Sequence, residues 1–322
     1  MVAKISDLPK IWDAPPMKEA ACVALPATCG ELVQGTLDGI PCLVSCPIQY
    51  YSVARVCLRA GMGWEVPCDS PKAAAALQAG LAWLGETAGR GHLQLFTRVP
   101  RGRGYGSSTA DVGATLYALA QALVRSLTPA QVAQLAVGVE PSDSSIFPGL
   151  ALFAHRTGHV YQDLGPAPAL SAMVIDPGGE VDTLAFNRID HQATLHRLAP
   201  EHRQAFGLLR QGLKEGDWAA VGEAATLSSR VHQAILFNPL LDQALALARQ
   251  VGALGVCRAH SGSLLGLLVD PRHTDVASAV AFVAKSLPSP VAVSLYAMVD
   301  GGPQDAADPK LHHSPIALPG SP

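Results

Sequence analysis

Glycine takes every second place in Arg-Gly-Arg-Gly-Tyr-Gly, residues 101–106, and Ser107, Ser108, Thr109 and Asp111 follow at once. Glycine lets a backbone approach a ligand closely and take positive φ. Small hydroxyl residues at the start of a helix put N–H groups and hydroxyls at the positive end of the helix dipole, where a phosphate is held well. The chemistry on offer is phosphate binding. Gly102, Gly104 and Gly106 would form the cradle, and Arg101 and Arg103 would add positive charge at its mouth. Ser107 and Ser108 could hydrogen-bond a phosphate, and one of them could reach Mg²⁺. No Gly-Lys-Ser/Thr follows, so this is not a Walker A loop. No acidic residue ends a second parallel strand where the dinucleotide-binding pattern needs one. A surface turn before a helix would use the same residues, and physics alone leaves both readings open.

Two other stretches carry polar groups. In Val-Gly-Val-Glu-Pro-Ser-Asp-Ser-Ser-Ile-Phe, Glu140 ends a predicted helix, Pro141 fixes the turn and Asp143 follows in the loop. Asp143 also suits a turn in which it bonds its own backbone, and Glu140 also suits a solvated helix end. Ser261, Gly262 and Ser263 make a second turn of small residues, which equally reads as a β-turn before a buried strand. The histidines are scattered without an HExxH, which argues against a zinc hydrolase, and neither Ser107 nor Ser261 has the Gly-x-Ser-x-Gly frame of a serine hydrolase.

Elements to position these groups follow from periodicity. Ala-Cys-Val-Ala-Leu-Pro-Ala-Thr-Cys-Gly (21–30) reads as a strand that breaks at Pro26 and turns at Gly30. Residues 41–59 hold β-rich runs broken at Pro47, and 92–100 alternate as a strand ending at Pro100. Pro71 onward is an alanine-rich helix. After the glycine loop, Val112, Leu116, Leu119 and Leu123 recur at helical spacing, and Ser108 with Asp111 three residues on predicts a capping box. A helix over 129–139 and a hairpin turning near Gly158 follow. The second half reads as a strand from Ser171, helices near 199–215, 217–233 and 239–252, an apolar strand after the second turn, a helix over 272–286 and a strand from Pro290. Strands and helices mix without regular βαβ alternation, an α+β class.

The chain of 322 residues is expected to hold a loose arm over 1–20, domains over 21–165 and 166–300, and a disordered, proline-containing tail over 301–322. Its formal net charge of −3 without a basic block argues against nucleic acid or an anionic membrane as partner. The N-terminus is not a signal peptide, and no apolar run is long enough to span a membrane. Seven cysteines, Cys22, Cys29, Cys42, Cys46, Cys57, Cys68 and Cys257, lack paired CxxC spacing. They read as reduced, mostly buried thiols of a cytoplasmic protein.

Pro100, Gly104, Gly106, Ser107, Ser108 and Ala110 match the second motif of the GHMP kinases, the superfamily of galactokinase, homoserine kinase and mevalonate kinase. Tyr105 stands where the family usually has Leu or Met. Pro-Ala-Thr-Cys-Gly-Glu-Leu-Val-Gln-Gly (26–35) resembles the N-terminal motif, and Arg-Ala-His-Ser-Gly-Ser-Leu-Leu-Gly-Leu-Leu (258–268) the C-terminal one. These forms, with residues 140–150, most resemble the branch acting on L-threonine in cobalamin biosynthesis. The resemblance implies an N-terminal domain like ribosomal protein S5 domain 2 and a C-terminal ferredoxin-like sandwich. It implies an ATP- and Mg²⁺-dependent kinase with L-threonine as acceptor, or a related acceptor such as homoserine; a non-catalytic nucleotide- or metabolite-binding relative is the alternative. It also implies site residues. The nucleotide would lie on Pro100, Gly102, Arg103, Gly104, Tyr105, Gly106, Ser107, Ser108 and Thr109, closed over by Ser261, Gly262 and Ser263. Ser108 and Glu140 would hold the metal, and Asp143 is the candidate base. For a zwitterionic acceptor, Glu31 would meet the ammonium, Thr28 and Gln34 would add hydrogen bonds, and His260 or Arg258 would meet a carboxylate or phosphate.

Overall fold

Two long strands organise the molecule. In the computed structural model, which describes residues 20–59, 63–86, 90–159, 161–179 and 189–306, β1 (Ala20–Leu37) and β2 (Ile40–Leu58) form one antiparallel hairpin. Neither breaks where the sequence predicts. β1 continues through Pro26 and Gly30 by shifting register between Pro26 and Thr28, Thr28 and Glu31, and Glu31 and Val33. Such bulges absorb a proline without ending a strand and re-aim the side chains beside them. The irregular stretch carries Thr28 and Glu31.

The described strands form one mixed sheet, in the order β10-β7-β9-β8-β1-β2-β4-β3. β3 is Trp64–Glu65, β4 Gly91–Thr97, β7 Ser171–Asp176, β8 Gly255–Arg258, β9 Leu265–Val269 and β10 Ala292–Ala297. β5 (Ala151–Phe153) pairs with β2 and with β6 (Tyr161–Asp163), forming the predicted hairpin. Glu31 of β1 pairs with Arg258 of β8, so the sheet runs without interruption from one half of the chain to the other. β11 (Gln304–Asp305) pairs with Val23 and Ala24 of β1. The predicted tail therefore begins with a short strand, and Ala20, the last residue of the predicted arm over 1–20, opens β1; residues 307–322 and 1–19 lie outside the described residues.

Helices α1 (Pro71–Trp83), α2 (Ser107–Ala122) and α3 (Pro129–Val139) pack on the β1–β2 side. α2 is buried on almost every face, which its Ala110, Gly113, Ala114 and Ala118 permit. Leu116 and Leu119 share a core with Leu77, Leu93, Val56 and Phe153. Large-to-small changes in such a core typically cost about 2–5 kcal/mol, so Leu116→Ala is expected to lower the thermal midpoint by several degrees. A near-wild-type melt would show that this core is loosely packed.

The second half adds α4 (Gln192–Arg197), which the sequence reading passes over, then α5 (Ala199–Glu215), α6 (Trp218–Val231), α7 (Leu241–Gln250) and α8 (Val276–Ser286). Phe206 and Leu209 of α5 and Val221 of α6 share a core with Leu32, Val44 and Leu268. Met173, Ile175, Leu245, Val256 and Val280 form another. All seven cysteines are free and most are buried. No described helix is long and apolar enough to cross a membrane.

Candidate active site

The glycine loop is fixed at both ends. Thr28 donates its N–H to the Tyr105 carbonyl at 2.8 Å, and Leu264 donates its N–H to the Arg103 carbonyl at 3.2 Å. The loop is thus laced to the N-terminal strand and to the C-terminal turn. Gly104 and Gly106 take φ of +104° and +64°. A Cβ at Gly104 would lie 2.2 Å from the Ala259 Cβ, and one at Gly106 would lie 2.4 Å from Asp143 Oδ2. Both positions exclude a side chain by conformation and by space.

The predicted capping box does not form. Gly106 itself is the N-cap, in the left-handed region, and no side chain caps α2. Asp111 instead takes a hydrogen bond from Ser52 Oγ and lies 3.6 Å from Arg101 Nη2. The reason is that the helix begins at Ser107, so Ser108 lies inside its first turn rather than at the N-cap, where a capping box needs it. First-turn N–H groups without an intrahelical partner are what a phosphate uses.

Opposite the loop stands the acidic turn, pinned by its own serines. Ser144 N–H donates to Ser45 Oγ at 3.0 Å and Ser45 N–H donates back to Ser144 Oγ at 2.9 Å. Ser142 N–H meets the His155 carbonyl at 3.1 Å, and Asp143 N–H meets Thr109 Oγ1 at 3.0 Å. Asp143 stands at the N-cap of the short 3₁₀ turn Ser144–Ile146, but its side chain makes no capping hydrogen bond there. The turn-forming role open to it in the sequence is not the one it takes. Glu140 is buried; Ser108 Oγ donates to its Oε1, and Lys72 Nζ lies 2.6 Å from its Oε2.

Behind the loop, Glu31 and Asp143 form a buried carboxyl pair. Burial first, then the Asp143 charge, pushes the Glu31 pKa well above the carboxylate range. Burial, then the Glu140 charge, raises Asp143 to about 6. The hydrogen bond between the two carboxyls raises Glu31 and lowers Asp143, so Glu31 is the one that keeps its proton to higher pH. Nearby, burial followed by the charges of Arg156 and Arg258 lowers His260 to about 3, so it is a neutral imidazole. Its Nδ1 lies 2.6 Å from Gln34 Oε1, which makes Nδ1 the N–H and leaves Nε2 the lone-pair nitrogen.

The sequence matches the family description "GHMP kinases N terminal domain" over residues 72–148 and "GHMP kinases C terminal" over 209–288. It is 32% identical over 260 residues to an L-threonine kinase of Salmonella typhimurium, covering 80% of this chain and 85% of that one. An L-threonine kinase of Citrobacter freundii is 33% identical over 258 residues, covering 80% and 88%. The chain belongs to the GHMP kinases. The crystal structure of homoserine kinase from Cytophaga hutchinsonii superposes with a TM-score of 0.65 at 20% identity, over 90% of this chain and 98% of that one. At that identity the likeness is one of fold.

The three GHMP kinase motifs meet at one cavity. Gly102, Gly104, Tyr105, Gly106, Ser107, Ser108, Thr109, Glu140, Asp143, Glu31, His260 and Ser261 all line it. Pro100, Arg103, Gly262, Ser263, Thr28 and Gln34 are not among the residues that line it. Arg103 is turned from the cavity to Asp176 of β7, at 3.1 Å. Tyr105, the departure from the family pattern, donates its hydroxyl to the same Asp176 at 3.3 Å, a contact Leu or Met could not make. Arg258 is buried against Gln233 Oε1 and the Leu236 carbonyl, at 2.8 and 2.7 Å, and is not positioned to meet an acceptor. Gln34 orients His260. Sequence reasoning missed the opposite wall, Asp69, Ser70, Pro71, Lys72 and Ala73 at the start of α1, with Asp111 and Pro141. Nothing in the local sequence of α1 says that tertiary packing brings its first turn to the glycine loop.

Proposed function

We propose that the cavity transfers the γ-phosphoryl group of ATP to the side-chain hydroxyl of L-threonine, giving O-phospho-L-threonine and ADP. The observation that carries this reading is the meeting of the glycine loop, Ser108–Glu140 and Asp143 in one cavity, in a chain about a third identical to two L-threonine kinases. Transfer of this kind needs positioning and charge neutralisation more than covalent chemistry. The uncapped start of α2, with the Gly102–Gly106 backbone and Ser107, holds the phosphates. Ser261, from the C-terminal motif, closes over them.

The donors at the loop fit Mg²⁺. Ser108 Oγ and the Glu140 carboxylate are hard oxygens, and a cationic group, Lys72 Nζ, already lies against Glu140. No cluster of three or more acidic, His or Cys side chains among the described residues could hold a metal alone. That suits an ion bound through one carboxylate, a hydroxyl and phosphate oxygens. When bound, Mg²⁺ neutralises charge on the phosphoryl oxygens. Asp143, ionised above about pH 6 and partnered by Glu31, accepts the proton of the threonine hydroxyl. The Glu31–Asp143 pair also faces the ammonium, and His260 Nε2 accepts a hydrogen bond from the acceptor. The product's phosphorylated amino alcohol skeleton fits a supply role in cobalamin biosynthesis, within the cytoplasm.

The test is ADP release by purified protein with ATP and Mg²⁺, comparing L-threonine, L-serine, L-homoserine, mevalonate and no acceptor. Release with threonine, with phosphothreonine as product, is expected; preference for homoserine would overturn the acceptor and keep the site. Glu140→Ala is expected to lower kcat by about a hundredfold and raise the Mg²⁺ concentration needed for half-activity, since it removes one of the two protein groups that hold the metal. Unchanged metal dependence would remove Glu140 from the metal site.

A further inference from the structure

We infer that Lys72 is an exchangeable cation: it occupies Glu140 before the metal arrives, and is released to the terminal phosphates of the nucleotide when the metal takes its place. This rests on reading the cavity as a metal–nucleotide site, and it assigns a role to a residue outside the three motifs. Lys72 lies in the first turn of α1, and its flexible stem carries Nζ to 2.6 Å from Glu140 Oε2. The Lys72 side chain is 39% exposed and that of Glu140 only 6%, so the lysine reaches in from the cavity to a buried carboxylate. Glu140 Oε1 meanwhile takes the Ser108 hydroxyl. Both oxygens of the metal-site carboxylate are therefore engaged, one of them by a positive charge.

The other basic side chains nearby are differently placed. Arg101 lines the cavity, but Nη1 donates to the Asp69 carbonyl at 2.7 Å and Nη2 to Ser70 Oγ at 2.8 Å, with Asp111 Oδ2 at 3.6 Å. It is tied to the α1 start by Asp69 and Ser70 and is not paired with Glu140. Arg103 is tied to Asp176, away from the cavity. Among the described residues, Lys72 is the basic group on the cavity wall that pairs with the carboxylate the metal would use. Displaced from it, an ammonium on a four-carbon stem is a mobile point charge beside the phosphate loop, and lysine binds phosphate in that way. Before loading, the same ion pair keeps a buried Glu140 compensated and aimed, so the site is preformed.

Binding measurements on the full chain test this, with activity not needed as the readout. Free Mn²⁺ is titrated by electron paramagnetic resonance without nucleotide, and ADP in saturating Mn²⁺ by calorimetry. Wild type is compared with Lys72→Met and with Lys72→Gln, which retains an N–H donor for Glu140 should the Met variant fail to fold. Removing the competing charge is expected to tighten Mn²⁺ alone about tenfold and to weaken ADP about tenfold, the size of one charge-assisted hydrogen bond. Lys72→Arg should restore part of the ADP affinity. Mn²⁺ binding that is no tighter in a folded variant, or ADP binding as tight as wild type, overturns the exchange. Failure of wild type to bind ADP at all would instead strike the nucleotide reading, and the exchange with it.

Discussion

Gly106→Asp is expected to reduce kcat/KM by about a thousandfold or more, because it places both a side chain and a negative charge where phosphate must sit. Gly106 is the left-handed N-cap of α2, at φ +64°. A Cβ there would lie 2.4 Å from Asp143 Oδ2 and 2.9 Å from Thr28 Oγ1, so the substitution also drives the loop against the acceptor side. Gly106→Ala separates the two effects. It keeps the steric clash and the strain of positive φ without the charge. If exclusion of phosphate by charge matters, the aspartate variant binds ADP much more weakly than the alanine variant, which calorimetry would read directly. Equal nucleotide binding by both, at wild-type strength, would show that the phosphates do not rest on this turn.

The loop is legible in the sequence because its needs are local. Alternating glycines before small hydroxyl residues state a backbone requirement that one stretch of sequence can carry, and the helix predicted from the spacing of Val112, Leu116 and Leu119 is α2, Ser107–Ala122. α3 is equally legible, with Pro129 at its start and a true capping box formed by Thr128 and Gln131. The β1–β2 hairpin is less so. Pro26, Gly30 and Pro47 read as breaks, yet partners on both sides hold β1 through register shifts that no single-strand pattern reveals. Ser108 and Asp111 have the spacing of a capping box, but the sequence does not show that Gly106 enters the helix left-handed, nor that Ser52 waits for Asp111 across the sheet. Lys72, with the first turn of α1, belongs to a wall made wholly by packing. The electrostatics are hidden too: Glu31 reads as an anion for an ammonium, whereas burial and the Asp143 charge push its pKa well above the carboxylate range.

That assignment decides how Asp143 should behave. Asp143→Asn is expected to lower kcat by about a hundredfold to ten-thousandfold, the usual contribution of a positioned general base. Its pKa is raised to about 6, chiefly by burial and then by the Glu140 charge, so the ionised form that accepts a proton disappears as pH falls through about 6. Wild-type kcat/KM should therefore drop about tenfold per unit below that value, and the limb should vanish in Asp143→Asn. Stability gives an independent reading with the opposite sign. A carboxyl whose folded pKa exceeds its unfolded value favours the folded state at low pH, and that contribution is lost as pH rises through the folded pKa. Asparagine, of nearly the same shape and never charged, should hold or raise the melting temperature at pH 8 while activity collapses. A variant that keeps both its acid limb and most of its turnover would leave the hydroxyl proton to solvent or to the phosphate itself, and reduce Asp143 to a partner of Glu31 in placing the acceptor.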